Sequence, residues 1–367
     1  MKIFLLHNQY FDKDGVIRKI GGVETYMEML ARLIQKEGYE PIICQYSNKP
    51  FTKDLDGFTI KGYEVSTIKE LYLTIRPEID VNHDIVIFSN DVMVCKTDLK
   101  RVISIQHGIA CDVPYFSGNK FLNILRRIRY IQKTINRFET SPRRVCVDYN
   151  FYNCYKLLSP NVIEPHITVI PNFCIQSLTK EQLTEKLNQR KHENIKIIFA
   201  RRFVELRGAV LFARAATKIL SHHPNVEITI AGEGPCESRM KRILNGYMDR
   251  VCFTKYLPSE SFEIHKEHDI AVIPTIGSEG TSLSLLEAMG AGCYVVATPV
   301  GGMSNIIING YNGKFTMPNE ESLVASMNDA ILSVRTSNIQ KNALDIIHRS
   351  FSLERWEAQW AELLKSI

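Results

Sequence analysis

The sequence contains 367 residues, of which 45% are hydrophobic and 23% are charged, and its formal net charge is +5. This length favours two domains of roughly 150–200 residues each, and the ordinary composition argues against disordered and fibrous proteins. No apolar run approaches the roughly 20 residues that span a bilayer, and the apolar start of the chain is too short for a secretory signal.

Nine cysteines are scattered along the chain without any C-x-x-C pair. An odd number without that spacing indicates neither a disulfide framework nor a zinc site. Several of them stand inside apolar runs, where cysteine behaves as a small hydrophobic residue. We therefore predict a protein of a reducing compartment, the cytoplasm.

Strand-like apolar runs alternate with helical patterns from end to end, which predicts parallel sheets with crossover helices. In the first half the predicted strands are Ile3–His7, Ile42–Cys44, Ile85–Phe88, Val102–Ile105, Val145–Val147 and Ile167–Ile170. In the second half they are Ile195–Ala200, Val226–Ile230, Val251–Phe253, Ile270–Ile273 and Tyr294–Ala297. The chain is thus predicted to be an α/β protein with two Rossmann-like units.

A polar, charge-rich stretch without a strand pattern, residues 176–194, separates the two sets of strands. We predict that it is a linker between an N-terminal domain, residues 1–175, and a C-terminal domain, residues 195–350. Residues 351–367 form an amphipathic tail that contains Trp360. This predicted helix can either cross back to the first domain or cover the sheet of its own domain.

The segment with the clearest chemical pattern runs from Ser278 to Gly290. It follows a buried strand, and its spacing predicts that Gly280–Ser282 form the opening turn of a helix at the carboxyl end of that strand. Free amides and the helix dipole favour a diphosphate at such a place. Glu279 and Glu287 stand eight positions apart, so one carboxylate can face a transferred group while the other reaches a ribose. Alternatively, Glu279 caps the helix and Glu287 lies on a solvated face.

This segment resembles the E-x7-E signature of the family-4 retaining glycosyltransferases, or glycosyl transferases group 1, whose usual form is E-G-[FY]-G-L-x-x-L-E-A-M-A-x-G-x-P-V-[IV]-A. It departs from that form at Thr281-Ser282, in place of an aromatic residue and glycine, and at Tyr294, in place of proline. The resemblance continues through Gly301-Gly302. It implies the GT-B fold, in which an acceptor-binding N-terminal domain and a nucleotide-sugar-binding C-terminal domain face a central cleft. The residues that it assigns to the donor site here are Glu279, as a catalytic residue, and Gly280, Thr281, Ser282, Leu283 and Glu287.

Two arginines follow the first strand of the second half, within Ala200–Gly208. The stretch is similar to the family's R-[LF]-x-x-x-K-G motif, with Arg202 at the arginine position and Arg207 where lysine is commoner. The resemblance implies that both act in catalysis, because cations at a strand end can neutralise a leaving diphosphate. The alternative is that they are exposed basic residues of a loop.

Two shorter elements of the second half also resemble parts of the family's donor site. Ile230–Pro235 is a turn of the G-x-G-P type, in which Gly232 permits a close approach of the ligand. Phe253–Pro258 resembles the loop whose backbone holds the nucleobase, which implies donor contacts at Tyr256 and Leu257.

The first half contributes a glycine loop and a histidine. Gly21-Gly22 precedes a helix predicted over Val23–Lys36 and resembles the family's first-lobe loop that lies against the donor phosphate; an ordinary hinge is the alternative. His107 follows a predicted strand and resembles the family's histidine that approaches the donor sugar. A lone histidine is also often a satisfied polar residue, and His7 is a further candidate.

The resemblance implies a mechanism in which arginines and helix amides stabilise the leaving diphosphate, whose oxygen takes the acceptor proton on the same face. We therefore expect a metal-independent, retaining hexosyl or glycosyltransferase without a cofactor, which uses a UDP- or GDP-linked sugar. The expected acceptor is a glycan or a lipid-linked molecule, in bacterial cell-surface polysaccharide or lipopolysaccharide biosynthesis.

The stretch Lys120–Arg144 carries eight lysines or arginines against a single acid, Glu139. Its apolar residues recur at helical spacing, and a basic amphipathic helix is typical of a membrane-surface element. We predict peripheral attachment to anionic lipid on the inner face of the cell membrane. A core-packing helix with a solvated basic side is the alternative.

Three other functions are compatible with these patterns. An inverting GT-B transferase needs a general base in the first lobe, for which His7 or His107 could serve, and a sugar-nucleotide epimerase can share the fold. A non-catalytic partner subunit is the third, although the presence of both glutamates and both arginines argues against it. We expect no nucleic-acid partner, because no aromatic or zinc motif accompanies the basic stretch.

Overall fold

The computed structural model describes residues 1–113, 119–159 and 166–367, without the side chains of residues 120 and 192. These residues form two compact units. The first unit comprises residues 1–111, 119–159, 166–171 and 357–367, and the second comprises 112–113 and 172–356.

The first unit is a sheet with helices packed on it. Its strands are β1 (Lys2–His7), β2 (Glu40–Tyr46), β3 (Phe51–Leu55), β4 (Phe58–Tyr63), β5 (Ile85–Phe88), β6 (Val102–Gln106), β7 (Arg143–Cys146) and β8 (Ile167–Val169). Its helices are α1 (Gly22–Lys36), α2 (Ile68–Ile75), α3 (Lys120–Phe138) and α4 (Tyr149–Leu158). The strand order is β3-β4-β2-β1-β5-β6-β7-β8, and among these described strands only the β3–β4 pair is antiparallel. Strands buried on both faces must be apolar throughout, as β5 is.

The prediction missed the hairpin β3–β4 at the edge of this sheet. Asp56 and Gly57 connect the two strands, and both have positive φ, 50° and 88°. An Asp-Gly pair between alternating residues is the usual sign of such a turn. Strand β3 alternates intermediate and exposed residues rather than presenting a buried run, so a search for buried parallel strands does not find it.

The second unit is a fully parallel sheet with its own core. Its strands are β9 (Ile195–Ala200), β10 (Val226–Ala231), β11 (Val251–Thr254), β12 (Ile270–Ile273), β13 (Tyr294–Ala297) and β14 (Lys314–Phe315), in the order β11-β10-β9-β12-β13-β14. Its helices are α5 (Lys180–Gln189), α6 (Ala209–His222), α7 (Glu237–Ile243), α8 (Ser261–Lys266), α9 (Leu283–Gly290), α10 (Glu320–Ser333) and α11 (Ile339–Ser350), and α12 (Leu353–Lys365) begins there.

Residues 176–194 are part of the second unit rather than the predicted linker. Helix α5 occupies most of the stretch, and its Leu183 packs with Leu178 and Leu344. Lys186 is buried, and its Nζ donates to the carbonyl oxygen of Ala291 over 2.8 Å. The stretch looks like a linker because most of its side chains are exposed, while a few buried contacts hold the helix in place.

The chain returns to the first unit within α12, so the tail takes the first of the two predicted alternatives. Trp360 is fully buried, and its Nε1–H donates to the Tyr26 hydroxyl over 2.7 Å. Two ion pairs add to this contact. Lys36 lies 2.6 Å from Glu357, and Lys365 lies 2.8 Å from Glu37.

The basic stretch is not one helix. Helix α3 ends at Phe138, and Arg143 and Arg144 belong to β7. Ile135 and Phe138 are buried in the first unit. The amino-terminal half of α3 has an exposed apolar side, formed by Phe121, Leu122, Ile124, Leu125 and Ile128. Within the described residues, no helix combines the length and apolarity that a bilayer crossing needs.

A buried ion cluster around Asp269 joins α5 and the region after α10 to the second sheet. Arg190 donates to both carboxylate oxygens, at 2.7 and 2.8 Å, and Arg335 donates to Oδ1 at 2.7 Å. The backbone amide of Lys196 adds a bond of 2.8 Å to Oδ2. Burial opposes ionisation, but these donors outweigh it and hold the pKa of Asp269 below its ordinary value.

We expect Asp269→Asn to lower the free energy of unfolding of the second unit by about 3–5 kcal/mol, because it leaves two arginines without their buried counter-charge. Urea denaturation followed by circular dichroism measures this. A carboxyl whose pKa is depressed on folding stabilises the protein above the pKa of the unfolded state and loses that effect as the pH falls through the folded value. The difference in the free energy of unfolding between wild type and variant should therefore become smaller as the pH falls into that range.

Asp249→Asn is the matched control, because the side chain of Asp249 is 76% exposed. Its unfolding midpoint should match that of the wild type. Equal midpoints for Asp269→Asn and the wild type at neutral pH would show that the ion cluster does not support the second unit.

Candidate active site

The order of the second sheet defines where a ligand can bind. From β9 the chain moves outward to β10 and β11, and then returns to place β12 on the other side of β9. The loops that follow β9 and β12 therefore diverge at the carboxyl edge, which in open α/β sheets is the usual place for a ligand. These loops are residues 201–208 and 274–282, which contain the predicted arginines and Glu279.

Three donors converge on one oxygen of Glu279. Arg201 Nη2 lies 2.7 Å from Glu279 Oε2, Arg207 Nη1 lies 3.0 Å from it, and Thr275 Oγ1 lies 3.2 Å from it. Arg207 also donates to the carbonyl oxygen of Ser278 over 2.8 Å. Ser278 has φ = 56°, a conformation that is rare for a residue with a side chain and that is often found at functional sites.

The electrostatics of this cluster keep the glutamate ionised. Burial alone would raise its pKa, but the Coulomb attraction of Arg201 and Arg207 outweighs burial and holds the pKa of Glu279 below its ordinary value. Two guanidinium groups face a single carboxylate, so the three charges sum to +1. A part-buried positive charge of this kind is complementary to an anion.

Glycines allow the backbone around Glu279 to pack closely. Gly301 has φ = 55°, and a Cβ there would lie 1.8 Å from the carbonyl oxygen of Glu279. A Cβ on Gly302 would lie 2.6 Å from the carbonyl carbon of Gly280. Gly232, with φ = 136°, supports the arginine loop in the same way, since its Cβ would lie 2.2 Å from the carbonyl oxygen of Arg201.

Gly280–Ser282, which were predicted to form the opening turn of α9, instead form the turn that connects Glu279 to Leu283, where the helix begins. Gly280, Thr281 and Ser282 are buried, and Ser282 occupies the N-cap position. The Nδ2 of Asn172 donates to the carbonyl oxygen of Thr281 over 2.5 Å, which fixes this turn. The first turn of a helix has amides without intrahelical acceptors, and α9 begins at Leu283.

Glu287 lies further along α9 and is held from α8. Ser261 Oγ donates to Glu287 Oε2 over 2.8 Å, and burial raises the pKa of Glu287. Tyr256 precedes α8 and places its hydroxyl 3.4 Å from the carbonyl oxygen of Ala200, the last residue of β9. Leu257 is exposed. Of the residues predicted to hold a nucleoside, Tyr256 thus contacts the carboxyl end of β9, the strand that the arginine loop follows.

The arginine that contacts Glu279 beside Arg207 is Arg201, not Arg202. The side chain of Arg201 is only 6% exposed, whereas Arg202 is exposed. Alignment with the family motif selects Arg202 because it compares positions along the chain. It does not show which of two adjacent side chains points inward. Thr275, Ser261 and Asn172 were also missed, since none of them belongs to a motif that the sequence predicted.

The histidine and glycine of the first half lie in the first unit. His107 Nε2 lies 2.9 Å from the carbonyl oxygen of Ser89, so this nitrogen carries the proton and Nδ1 is an acceptor. Burial lowers the pKa of His107 to about 4, so the ring is neutral at pH 7. Tyr26 packs edge-on against this ring, with centroids 4.8 Å apart. Gly22 is the exposed first residue of α1.

His7 joins β1, β5 and α1. Its Nδ1 lies 2.8 Å from Ser89 Oγ, and its Nε2 lies 3.3 Å from Glu24 Oε1. Both ring nitrogens are therefore engaged by protein groups. His7 is 1% exposed, so it is a buried structural residue rather than one that faces a ligand.

Comparison with known proteins identifies the kind of domain to which this site belongs. Residues 194–335 match the family model described as Glycosyl transferases group 1. An Escherichia coli UDP-Gal:alpha-D-GlcNAc-diphosphoundecaprenol alpha-1,3-galactosyltransferase is 23% identical over 94% of this chain and 88% of its own length. The chain spans about half the length of the first curated relatives that it matches.

Solved structures establish the fold. Sucrose-phosphate synthase from Thermosynechococcus elongatus aligns with a TM-score of 0.76 at 15% identity, over 100% of this chain and 98% of that one. Anabaena HepE in complex with UDP-glucose aligns with a TM-score of 0.72 at 16% identity, over 100% of both chains. The chain therefore has the GT-B fold, and residues 194–335 of its second unit match the glycosyl transferases of group 1.

We expect Gly302→Ala to distort the loop that carries Glu279, because its Cβ meets backbone atoms that cannot move independently. Overpacking of this kind costs about 1–3 kcal/mol. The thermal midpoint measured by calorimetry should fall by several degrees.

Gly246→Ala is the control, because a Cβ at Gly246 has open space around it. Its midpoint should stay within experimental error or rise slightly, since alanine restricts the unfolded chain. A Gly302→Ala protein as stable as wild type would mean that the two backbones are not in tight contact.

Proposed function

We propose that this protein is a retaining glycosyltransferase that moves a sugar from a UDP- or GDP-linked donor to a glycan or lipid-linked acceptor. One observation carries the proposal: an ionised Glu279, held by two arginines, precedes the first turn of α9 at the switch point of the second sheet. Group 1 membership and the UDP-glucose bound to the HepE structure support a nucleotide sugar as the ligand.

The proposed reaction exchanges one bond at the anomeric carbon. The bond from that carbon to the diphosphate oxygen breaks, and a bond from the same carbon to the acceptor oxygen forms on the same face. A diphosphate oxygen takes the proton that the acceptor hydroxyl releases, so the products are the glycosylated acceptor and the nucleoside diphosphate. Arg207 and the amides of α9 stabilise the charge that develops on the diphosphate.

Two further residues have roles in this proposal. His107 offers its neutral Nδ1 to a hydroxyl of the donor sugar, since its Nε2–H is already bound to the Ser89 carbonyl. In the same proposal, Glu287 accepts a hydrogen bond from a ribose hydroxyl. No metal is needed in this scheme, because guanidinium groups supply the positive charge that a cation would otherwise provide.

We also propose peripheral attachment to a membrane through α3. Its exposed apolar side chains lie in the same half of the helix as exposed Arg126 and Arg129, a combination that suits an anionic bilayer surface. The E. coli relative is described as acting on a diphosphoundecaprenol-linked sugar, which supports a lipid-linked acceptor and a role in cell-surface polysaccharide or lipopolysaccharide biosynthesis.

A panel of UDP- and GDP-sugars, scored for release of the nucleoside diphosphate with EDTA present, tests the proposed chemistry. We expect the wild type to turn over at least one donor. Glu279→Ala and Arg207→Ala should each lower kcat/KM by about 10²–10³-fold, as the loss of one electrostatic contact in an active site does.

Arg214→Ala provides the matched control, because Arg214 lies exposed on α6 and should not affect turnover. The proposal fails if the wild type neither binds nor consumes any donor in the panel. Activity that disappears with EDTA and returns with a divalent cation would contradict the metal-independent scheme.

Liposome flotation tests the membrane proposal. The triple variant Phe121→Ser, Leu125→Ser and Ile128→Ser should reduce the affinity for vesicles that contain anionic lipid by about tenfold, since even about 0.5 kcal/mol for each side chain multiplies to that factor. The wild type should bind less as salt is added, because the basic side chains act through screened charges.

Leu332→Ser is the control variant, because Leu332 is 76% exposed but lies on α10 in the second unit. It should float like the wild type. Failure of the wild type to float with anionic vesicles at low salt would refute membrane attachment.

A further inference from the structure

The two arginines that contact Glu279 differ in how much of each guanidinium is used by the protein. The side chain of Arg201 is 6% exposed, with one Nη atom bonded to Glu279 and the other to Thr275. The side chain of Arg207 is 20% exposed, and its hydrogen bonds to Gly277, Ser278 and Glu279 all come from Nη1. Part of the Arg207 guanidinium can therefore donate hydrogen bonds to a ligand, whereas the Arg201 guanidinium is used by the protein.

The carboxylate of Glu279 is held asymmetrically. Among the described residues, the side-chain donors Arg201, Arg207 and Thr275 all bond to Oε2, which leaves Oε1 as the oxygen that they do not contact. An ionised carboxyl oxygen accepts about two hydrogen bonds, so Oε2 is saturated. The carboxylate can therefore present Oε1 to a hydroxyl group in a fixed direction.

We propose that Arg201 is a positioning residue for the transfer reaction, which fixes Glu279 so that Oε1 faces the donor sugar while Arg207 faces the diphosphate. The inference rests on the proposed function and assigns the two neighbouring cations to different tasks. Arg201 touches no substrate in this assignment, and it acts through the carboxylate that it holds.

The charged and titratable groups around this pair come from several elements. Arg207 and Glu279 lie on the two loops at the switch point, Tyr256 precedes α8, and Glu287 projects from α9. Arg201 also stabilises the ionised form of Glu287 and lowers the pKa of Tyr256, although burial raises both pKa values more strongly. Removal of Arg201 therefore favours the protonated form of each acid near it, including Glu279.

Turnover of the accepted nucleotide sugar, measured across pH for wild type, Arg201→Met and Arg207→Met, tests the assignment. Arg201→Met should lower kcat by about 100-fold, because misplacement of a positioning group by about 1 Å has that effect. Its affinity for UDP or GDP, measured by calorimetry, should stay within about threefold of wild type. The acid limb of its kcat/KM profile should move to higher pH by about one unit or more, and Arg201→Lys should restore part of this shift.

Arg207→Met should behave differently, with a clear loss of UDP or GDP affinity. If Arg201→Met weakens nucleoside diphosphate binding as strongly as Arg207→Met, Arg201 is a phosphate ligand and the assignment is wrong. An unmoved acid limb in an active Arg201→Met protein also overturns it. A wild type that turns over no nucleotide sugar at any pH overturns the proposed function, and with it this role.

A buried carboxylate without its arginine can destabilise the protein, so a double variant guards against loss of folding. Arg201→Met combined with Glu279→Gln removes these two charges together, and it leaves Arg207 beside a neutral residue 279, as Glu279→Gln alone does. We expect its kcat to lie within about threefold of Glu279→Gln alone, since Arg201 acts only through Glu279. Independent, multiplicative losses would contradict the assignment.

Discussion

A single part-buried carboxylate, Glu279, organises the second unit's candidate site. It cannot lie part-buried and ionised without counter-charge, so the loop after β12 must stand beside the arginines of the loop after β9. That requirement explains the glycines around it. Gly301 and Gly302 let the Glu279 backbone approach another loop, and Gly232 lets the arginine loop approach β10. The charge cluster and the close backbone packing therefore depend on one another.

The two arginines carry more positive charge than Glu279 neutralises, and this excess determines which kind of ligand the site attracts. A site that contained one arginine and one glutamate would be neutral, whereas Arg201 and Arg207 together leave a net attraction for an anion beside the first turn of α9. A diphosphate fits both the charge and the helix terminus. In the first unit, His107 is neutral and has a fixed tautomer, which suits a hydrogen-bond acceptor for a sugar hydroxyl better than a proton donor.

Much of this arrangement could be predicted from the sequence, because it depends on patterns that repeat. Buried parallel strands are continuous apolar runs, and the turn before α9 combines glycine, small residues and helical spacing. The choice between Arg201 and Arg202 could not be predicted, since it depends on which side chain the strand end directs inward. Helix α5 looked like a linker because its few buried contacts, such as Lys186 to Ala291, involve residues that are usually exposed. The exposed apolar side of α3 could not be distinguished from a core face, because both have the same helical periodicity.

Hydrogen exchange of the backbone amides in the presence of UDP or GDP tests the central claim most directly, because it locates the ligand without assuming a reaction. We predict that saturating nucleoside diphosphate slows exchange in peptides that cover residues 276–290 and 201–208, and that Arg207→Met weakens this protection. Binding that protects other parts of the second unit and leaves these two loops unchanged would contradict it.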